Sequence, residues 1–343
     1  MKRVLFLYTG GTIAMDMAVA PQEGGRVTST LAPTPRDLCL AIPELRELAD
    51  ISARTLFNED SADLGPSDWV TLSREIHGAL EHDDVDGVVV AHGTDTMAYG
   101  ASLVAFLLGP LPKPVIFTGA QRPLSAVRSD ARANVVNATI AATLDLPEVC
   151  IAFSDKVLRG VCSTKMDAWG FEAFASPSQE PLVNLGLDVA LEAHVRRPQP
   201  LRAFDDRVEP RVSFVRVFPG LDPEFALAGL RQGARGLVLA TYGTGTLPGG
   251  KGSLVPVLEA AQKDGIPVLV VSQCPRGYVE LERYEAGLRA KKLGAIDGGA
   301  LTQEAAIAKM MVGLARYPDL AELVRYLEDD ALGERTYLRA VRK

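Results

Sequence analysis

The sequence has few cysteines and no long apolar run, and these two features exclude several classes of protein. Only four cysteines occur in 343 residues; they lack the paired spacing of zinc sites and are too few for a disulfide framework. No run of about 18 or more apolar residues is present, so no membrane-spanning helix is expected. The apolar residues 4–8 form too short a run for a secretory leader and are soon followed by glycines. These features predict a protein of the reducing cytoplasm.

The sequence also lacks a concentration of positive charge. Its 36 lysines and arginines stand against 43 aspartates and glutamates, a net charge of −7. The basic pairs at 196–197 and 291–292 are too short to change that balance, which argues against a nucleic-acid partner. With 47% apolar and 23% charged residues, the composition is that of a folded globular protein, and the length suits two domains.

Strand-type apolar segments alternate with helical segments along most of the chain. Such segments occupy residues 3–8, 87–91, 114–118 and 149–153, and the pattern resumes after a stretch rich in Pro, Arg and Asp at 196–211. This alternation predicts an α/β fold of two domains, each a mostly parallel sheet flanked by helices. We place the larger domain at 1–195, the linker at 196–211 and a smaller, flavodoxin-like domain at 212–343.

Two of the strand-type segments lead into short loops that contain glycine and threonine. Residues 9–14 read TGGTIA, and residues 92–97 read HGTDTM. In a parallel sheet, ligands bind at the carboxyl ends of the strands, where such loops meet. A threonine hydroxyl becomes a nucleophile when a base takes its proton, and glycine amides can stabilise an oxyanion. The paired loops therefore indicate hydroxyl chemistry.

Each candidate residue in these and later loops also has a purely structural interpretation. Thr12 is either a nucleophile or a helix cap, and Thr94 and Asp95 either polarise a ligand and bind a cation or make local caps. Lys165 is a base if it is buried beside a carboxylate, and otherwise a surface lysine. Ser61 holds a carboxylate or belongs to an ordinary polar loop. The residues alone leave these alternatives open.

Residues 15–34, directly after the first glycine loop, carry no helix or strand period. A loop of about 20 residues inside a compact domain is usually functional or mobile. We interpret this segment as a lid over the site; the alternative is a disordered loop on the surface.

These segments together resemble the bacterial L-asparaginase family, especially its cytoplasmic type I branch. Residues 9–14 and 90–97 are similar to the two signature segments of the family, in the right order and separation. Residues 118–124 with 128–130 are similar to a third family block, and residues 159–165 followed by 171–177 are similar to a fourth. The short segments 272–274 and 302–305 extend the likeness into the second domain, so that it covers nearly the whole chain.

The resemblance implies a threonine amidohydrolase that needs neither cofactor nor metal. L-asparagine would be converted to L-aspartate and ammonia through an acyl-enzyme on Thr12. Thr94, Lys165 and Asp95 would form a second group, in which the lysine draws the proton from the threonine that activates water.

The resemblance also implies how the substrate is held and how the chain assembles. Asp95 would bind the α-ammonium of the amino acid, and the segment Asp60–Ser61 its α-carboxylate. A homodimer or homotetramer is expected, with no nucleic-acid or membrane partner.

The chain departs from the family pattern in the first loop. The family usually carries a tyrosine there to activate the first threonine, whereas residues 24–27 read GGRV and no tyrosine lies between Tyr8 and Tyr99. Two other functions therefore stay open. One is the glutaminase-type subunit of a tRNA-dependent amidotransferase, which usually has an additional amino-terminal segment. The other is a non-catalytic amino-acid sensor. A nucleotide enzyme is disfavoured because the G-x-G-x-x-G spacing is missing.

Overall fold

A computed structural model describes residues 1–11, 13, 38, 40–250 and 252–337 of the chain. The chain forms two compact units. The first contains Met1–Ser176 and Pro181–Asp205, and the second contains Pro177–Glu180 and Asp206–Lys343. Each unit is built of helices around its own sheet, which confirms the predicted α/β class. Among the described residues, no helix has the length and apolar character needed to cross a membrane.

An eight-stranded sheet forms the centre of the first unit. Its strands are β1 (Arg3–Gly10), β2 (Asp50–Glu59), β3 (Gly87–Ala91), β4 (Val115–Thr118), β5 (Val149–Phe153), β6 (Lys156–Arg159), β9 (Val183–Leu185) and β10 (Val189–Leu191); a separate hairpin contains β7 (Thr164–Lys165) and β8 (Phe174–Ala175). The spatial order is β10-β9-β6-β5-β4-β3-β1-β2. The predicted strands β1, β3, β4 and β5 pair in parallel, as expected, and the unpredicted β2 pairs in parallel with β1. Strands β6, β9 and β10 add an antiparallel margin that the sequence did not predict.

The central strands are buried along almost their whole length because helices cover both faces of a parallel sheet. Every residue of β3 and β4 is buried, and so is all of β1 after Arg3. In the register of β1 and β3, Leu7 pairs with Val90 and Tyr8 with Ala91. The two strands therefore end at the same edge of the sheet, and the loops that follow them are neighbours.

The helices of the first unit carry the segments that flank this edge. They are α1 (Leu45–Leu48), α2 (Pro66–Glu81), α3 (Met97–Leu108) and α4 (Ala131–Ala142). Helix α3 is buried on nearly all sides because small and apolar residues occupy almost every position. Helix α2 begins with Pro66, and the Asp68 carboxylate accepts a hydrogen bond from the Gly65 amide at 2.8 Å. This bond fixes the end of the loop before α2.

The second unit contains a smaller sheet of four parallel strands. They are β11 (Val212–Arg216), β12 (Gly236–Thr241), β13 (Val268–Ser272) and β14 (Ala295–Asp297), adjacent in that order. The helices are α5 (Pro223–Arg231), α6 (Val255–Lys263), α7 (Glu285–Lys292), α8 (Gln303–Arg316) and α9 (Leu320–Glu328). The Thr302 hydroxyl caps α8 by accepting from the Ala305 amide at 3.1 Å.

Candidate active site

The loop after β1 approaches the loop after β3 through two glycines. Gly10 and Gly11 have φ angles of +107° and +84°, which only glycine adopts without strain. A Cβ atom on Gly11 would lie 2.6 Å from the Cα atom of Gly93, so the two loops could not approach this closely with a larger residue. Thr12 and the predicted lid at 15–34 lie outside the described residues.

Ser61 contacts the second loop from the segment between β2 and α2. A Cβ atom on Gly93 would lie 2.5 Å from the Ser61 Oγ atom, and the Ser61 carbonyl accepts from the Thr96 hydroxyl at 2.7 Å. Ser61 is buried, whereas Asp60 is exposed and accepts from the Ala62 amide at 2.9 Å. The structure thus brings Ser61 to the carboxyl edge of the sheet, with Asp60 forming the turn beside it.

Thr94, Asp95 and Lys165 form a connected group at this edge. The Lys165 Nζ atom donates to the Thr94 Oγ1 atom at 2.9 Å and to the Asp95 Oδ1 atom at 2.7 Å. Thr94 is buried, the Lys165 side chain is 20% exposed and that of Asp95 is 67% exposed. The cap of α3 is Thr96, which makes no side-chain capping bond. Asp95 therefore pairs with the lysine instead of capping the helix, and Lys165 is not a free surface lysine.

A buried ion pair anchors the segment that carries Lys165. The Arg159 guanidinium, at the end of β6, donates to both carboxylate oxygens of Glu148 at 2.6 and 3.1 Å, and both side chains are almost fully buried. The Ser163 hydroxyl then donates to the Arg159 carbonyl at 2.8 Å. Since only one 3₁₀ turn, Gly160–Cys162, lies between Arg159 and Ser163, this ion pair fixes the start of β7 and with it Lys165.

Gln121 joins the group although no sequence pattern indicated its role. Its Oε1 atom accepts from the Thr94 hydroxyl at 3.1 Å, and its Nε2 atom donates to the Gly170 carbonyl at 3.3 Å. The backbone amide of Gln121 donates to the Asp130 carboxylate at 2.9 Å. The signal that could have found it is position: Gln121 follows β4, the neighbour of β3, at the same edge of the sheet.

His92 is a scaffold residue of the second loop, held by hydrogen bonds at both ring nitrogens. The Trp69 indole donates to its Nε2 atom at 3.2 Å, and its Nδ1 atom lies 2.8 Å from the Gly93 carbonyl, to which it donates. Burial lowers the pKa of His92 from 6.5 to about 4. His92 is therefore neutral at pH 7, with its hydrogen on Nδ1.

The described residues contain no group of three or more His, Cys, Asp or Glu side chains placed to hold a metal ion. What the site offers instead is a threonine hydroxyl in contact with an amine, which is itself paired to a partly exposed carboxylate. A hydroxyl in contact with a base is the arrangement that activates a nucleophile or a water molecule.

Comparison with known proteins agrees with this chemistry. The family model "Asparaginase, N-terminal" matches residues 3–197, and the model "Glutaminase/Asparaginase C-terminal domain" matches residues 211–327. The chain belongs to the asparaginase family. The resemblance stated from the motifs is thereby confirmed, and with it the interpretation of the chain as an amidohydrolase of this family.

Individual relatives of this asparaginase-family chain match it from end to end. The structure of the thermostable L-asparaginase from Thermococcus kodakarensis superposes with a TM-score of 0.88 at 34% identity, covering 97% of this chain and 99% of that one. L-asparaginase 1 of Escherichia coli K12 is 34% identical, covering 98% of each chain. A glutamyl-tRNA(Gln) amidotransferase subunit of Methanothermobacter thermautotrophicus is 35% identical, covering 97% of this chain and 77% of that subunit.

Proposed function

We propose that this asparaginase-family chain hydrolyses free L-asparagine to L-aspartate and ammonia through a threonine-linked acyl-enzyme. One observation carries the proposal: Lys165 contacts both the Thr94 hydroxyl and the Asp95 carboxylate at the carboxyl edge of the sheet. The likeness to proteins named L-asparaginase over nearly the full length of the chain supports the choice of substrate.

Thr12 is the acyl acceptor in this proposal, a role that rests on the family resemblance. Its hydroxyl oxygen attacks the side-chain amide carbon of asparagine, the carbon–nitrogen bond breaks, and ammonia leaves with the hydroxyl proton. The backbone amides of Gly10 and Gly11 are the donors for the oxyanion that forms on the way. Their left-handed conformation turns the chain directly before Thr12.

Thr94, Lys165 and Asp95 carry the second half of the reaction. Lys165, which this step requires in its unprotonated form, takes a proton by way of Thr94 while water attacks the aspartyl ester. The water oxygen bonds to the ester carbon, and the Thr12 oxygen leaves and is reprotonated. Asp95 keeps Lys165 in place and has enough exposure to bind the α-ammonium of the substrate as well.

The α-carboxylate of the substrate is held by the Asp60–Ser61 segment. The Ser61 hydroxyl borders the second loop, and a hydroxyl with backbone amides suits an anion. The Asp60 carboxylate serves the turn, because it accepts from the Ala62 amide. A zwitterionic amino acid is thereby fixed at both charged ends.

We further propose that the protein is a cytoplasmic homodimer or homotetramer with a linker at 196–211. The boundaries of the two family models, 197 and 211, support the linker. The thiols of Cys150 and Cys162 are buried and form no disulfide, which suits a reducing compartment. Trp169 and Val127, in the loops that flank Gln121 and Gly170, are almost fully exposed, which favours a subunit contact near the site.

The amidotransferase role remains a second candidate because relatives named as amidotransferase subunits are as similar to the chain as the asparaginases are. The test is ammonia release by the purified chain alone, with L-asparagine and L-glutamine assayed side by side. We expect turnover of L-asparagine without a partner protein. Turnover of L-glutamine that appears only with a tRNA-dependent partner would favour the amidotransferase role.

A further inference from the structure

Gln121 lies three residues after the end of β4, and its side chain contacts the group formed by Thr94, Lys165 and Asp95. Its side-chain oxygen accepts from the Thr94 hydroxyl at 3.1 Å, and its side-chain nitrogen donates to the Gly170 carbonyl at 3.3 Å. None of the roles proposed above uses this side chain. Because it is the direct partner of the Thr94 hydroxyl, it bears on how that hydroxyl works.

The Gly170 carbonyl determines which atom donates and which accepts in the series of hydrogen bonds from Gly170 through Gln121 to Thr94. A carbonyl oxygen only accepts, so the amide nitrogen of Gln121 faces Gly170 and the amide oxygen faces Thr94. That oxygen also only accepts, so Thr94 donates its single hydroxyl hydrogen to Gln121. The amine of Lys165 consequently donates to the Thr94 oxygen in this arrangement.

We infer that Gln121 is a positioning residue that orients the Thr94 hydroxyl for the attack of water, an inference that rests on the proposed function. A hydroxyl oxygen has two acceptor sites. With its hydrogen on Gln121 and one acceptor site used by Lys165, Thr94 keeps one acceptor site for a hydrogen of the attacking water.

The proton balance of the water step follows from this orientation. The water gives a proton to the Thr94 oxygen as its own oxygen bonds to the ester carbon. The Thr94 hydroxyl hydrogen turns from Gln121 to the nitrogen of Lys165, which for this step is unprotonated and turns its lone pair to Thr94. This proton returns to the Thr12 oxygen as the ester bond breaks. Gln121 itself neither gains nor loses a proton.

The backbone of Gln121 is held rigidly enough for such a role. The Asp130 carboxylate accepts from the amides of Gln121 and Arg122 at 2.9 and 3.0 Å and from the Asn134 side chain at 3.1 Å. Asn134 also donates to the Gly119 carbonyl at 2.9 Å. These bonds fix the backbone on both sides of Gln121, and a preorganised partner is what orienting a catalytic hydroxyl requires.

A positioning role in the water step has a specific kinetic signature. Ammonia leaves before water attacks, so kcat/KM reports the steps up to acylation, whereas kcat is limited by a slowed water step. Gln121→Met preserves side-chain length and removes both hydrogen bonds. It is expected to lower kcat and KM together by about tenfold, the effect of losing the single bond to Thr94. We expect kcat/KM to stay unchanged, and rapid mixing to show a burst of ammonia equal to the enzyme concentration.

Two further variants make the result decisive. Gln121→Glu keeps an acceptor for Thr94 at the same reach, so its kcat should exceed that of Gln121→Met. Gln262→Met, the same change at an exposed residue of α6, should leave kcat and KM at wild-type values. Thermal melting of each variant checks that the fold is retained.

The inference is overturned if Gln121→Met keeps the wild-type kcat, if kcat/KM falls along with kcat, or if no burst accompanies a lowered kcat. It is also overturned if Gln121→Glu is no faster than Gln121→Met. Failure of the proposed function is a separate result, because the wild-type chain would then release no ammonia from L-asparagine at all.

Discussion

The Nζ atom of Lys165 lies 2.9 Å from the Oγ1 atom of Thr94, although 71 positions separate the two residues in the chain. Thr94 is placed by the end of β3, and Lys165 by the short hairpin that follows the antiparallel strand β6. The parallel centre of the sheet thus supplies the hydroxyl, and its antiparallel margin supplies the amine.

Thr94→Val tests the role of this hydroxyl. Valine has nearly the same shape and lacks the oxygen, so the proton path from water to Lys165 is cut. We expect steady-state ammonia release from L-asparagine to fall by roughly 10²–10⁴, the usual contribution of a positioned acid–base group. Thr71→Val, at a helical threonine whose hydroxyl donates to the Ser67 carbonyl, is the matched control. Wild-type turnover in Thr94→Val would remove Thr94 from the mechanism.

Lys165→Met tests the amine in the same way. Methionine keeps the unbranched apolar stem and removes both the donor to Thr94 and the partner of Asp95. We expect a loss of kcat similar to that of Thr94→Val, and little further loss when both changes are combined, because the two groups act as a unit. Lys156→Met, at a lysine paired with exposed carboxylates, should stay within about twofold of wild type. If the fold-loss of kcat in the double variant equals the product of the two single losses, the two residues do not act as a unit.

His92 predicts a pH dependence of stability. Its pKa is about 4 in the folded protein, below the 6.5 of an unfolded chain, so the unfolded state takes up a proton first as the pH falls. The contribution of His92 is therefore complete above pH 6.5 and is lost as the pH falls toward 4. Between pH 7 and pH 5 this loss amounts to about 2 kcal/mol.

The measurement for His92 is urea unfolding, followed by circular dichroism, of wild type and His92→Gln at both pH values. Glutamine can accept from Trp69 and donate to the Gly93 carbonyl without titrating. The stability advantage of wild type should shrink by about 2 kcal/mol between pH 7 and pH 5. A difference that is the same at both pH values would show that His92 is not the neutral, buried group described above.

Arg159→Met tests the anchor of the Lys165 segment. The change leaves the Glu148 carboxylate buried without its guanidinium, which costs about 3–5 kcal/mol of unfolding free energy. Tryptophan fluorescence during urea unfolding reports the first unit, because it contains both tryptophans of the chain. Arg54 forms an exposed ion pair with Glu75, so Arg54→Met should scarcely change the midpoint of urea unfolding. Equal effects of the two changes would contradict a stabilising role for the buried pair.

Much of the fold could be predicted because its signals are local. The buried strands β1, β3, β4 and β5 are short apolar runs, and Thr302 stands directly before its helix as a cap. Strand β2 was not predicted because its burial pattern has no clean alternation. Strands β7 to β10 are only two or three residues long, too short for any period to show.

The site is formed by contacts between residues that are distant in the sequence, and no local sequence pattern predicts such contacts. Asp130 directly precedes α4, and its carboxylate accepts from the amides of Gln121 and Arg122 instead of from the amides of the helix. The grouping of Thr94 with Lys165 came from the family resemblance, because their spacing in the chain implies nothing. The signal for Gln121 was its position after β4, at the same edge of the sheet as the loop after β3.

The most direct test of the proposed activity is the release of ammonia and aspartate from L-asparagine by the purified wild-type chain, without a partner protein. We predict continuous turnover in which the two products form in equal amounts. A chain that binds L-asparagine and liberates neither product would contradict this function and leave an amino-acid sensor with the same pocket.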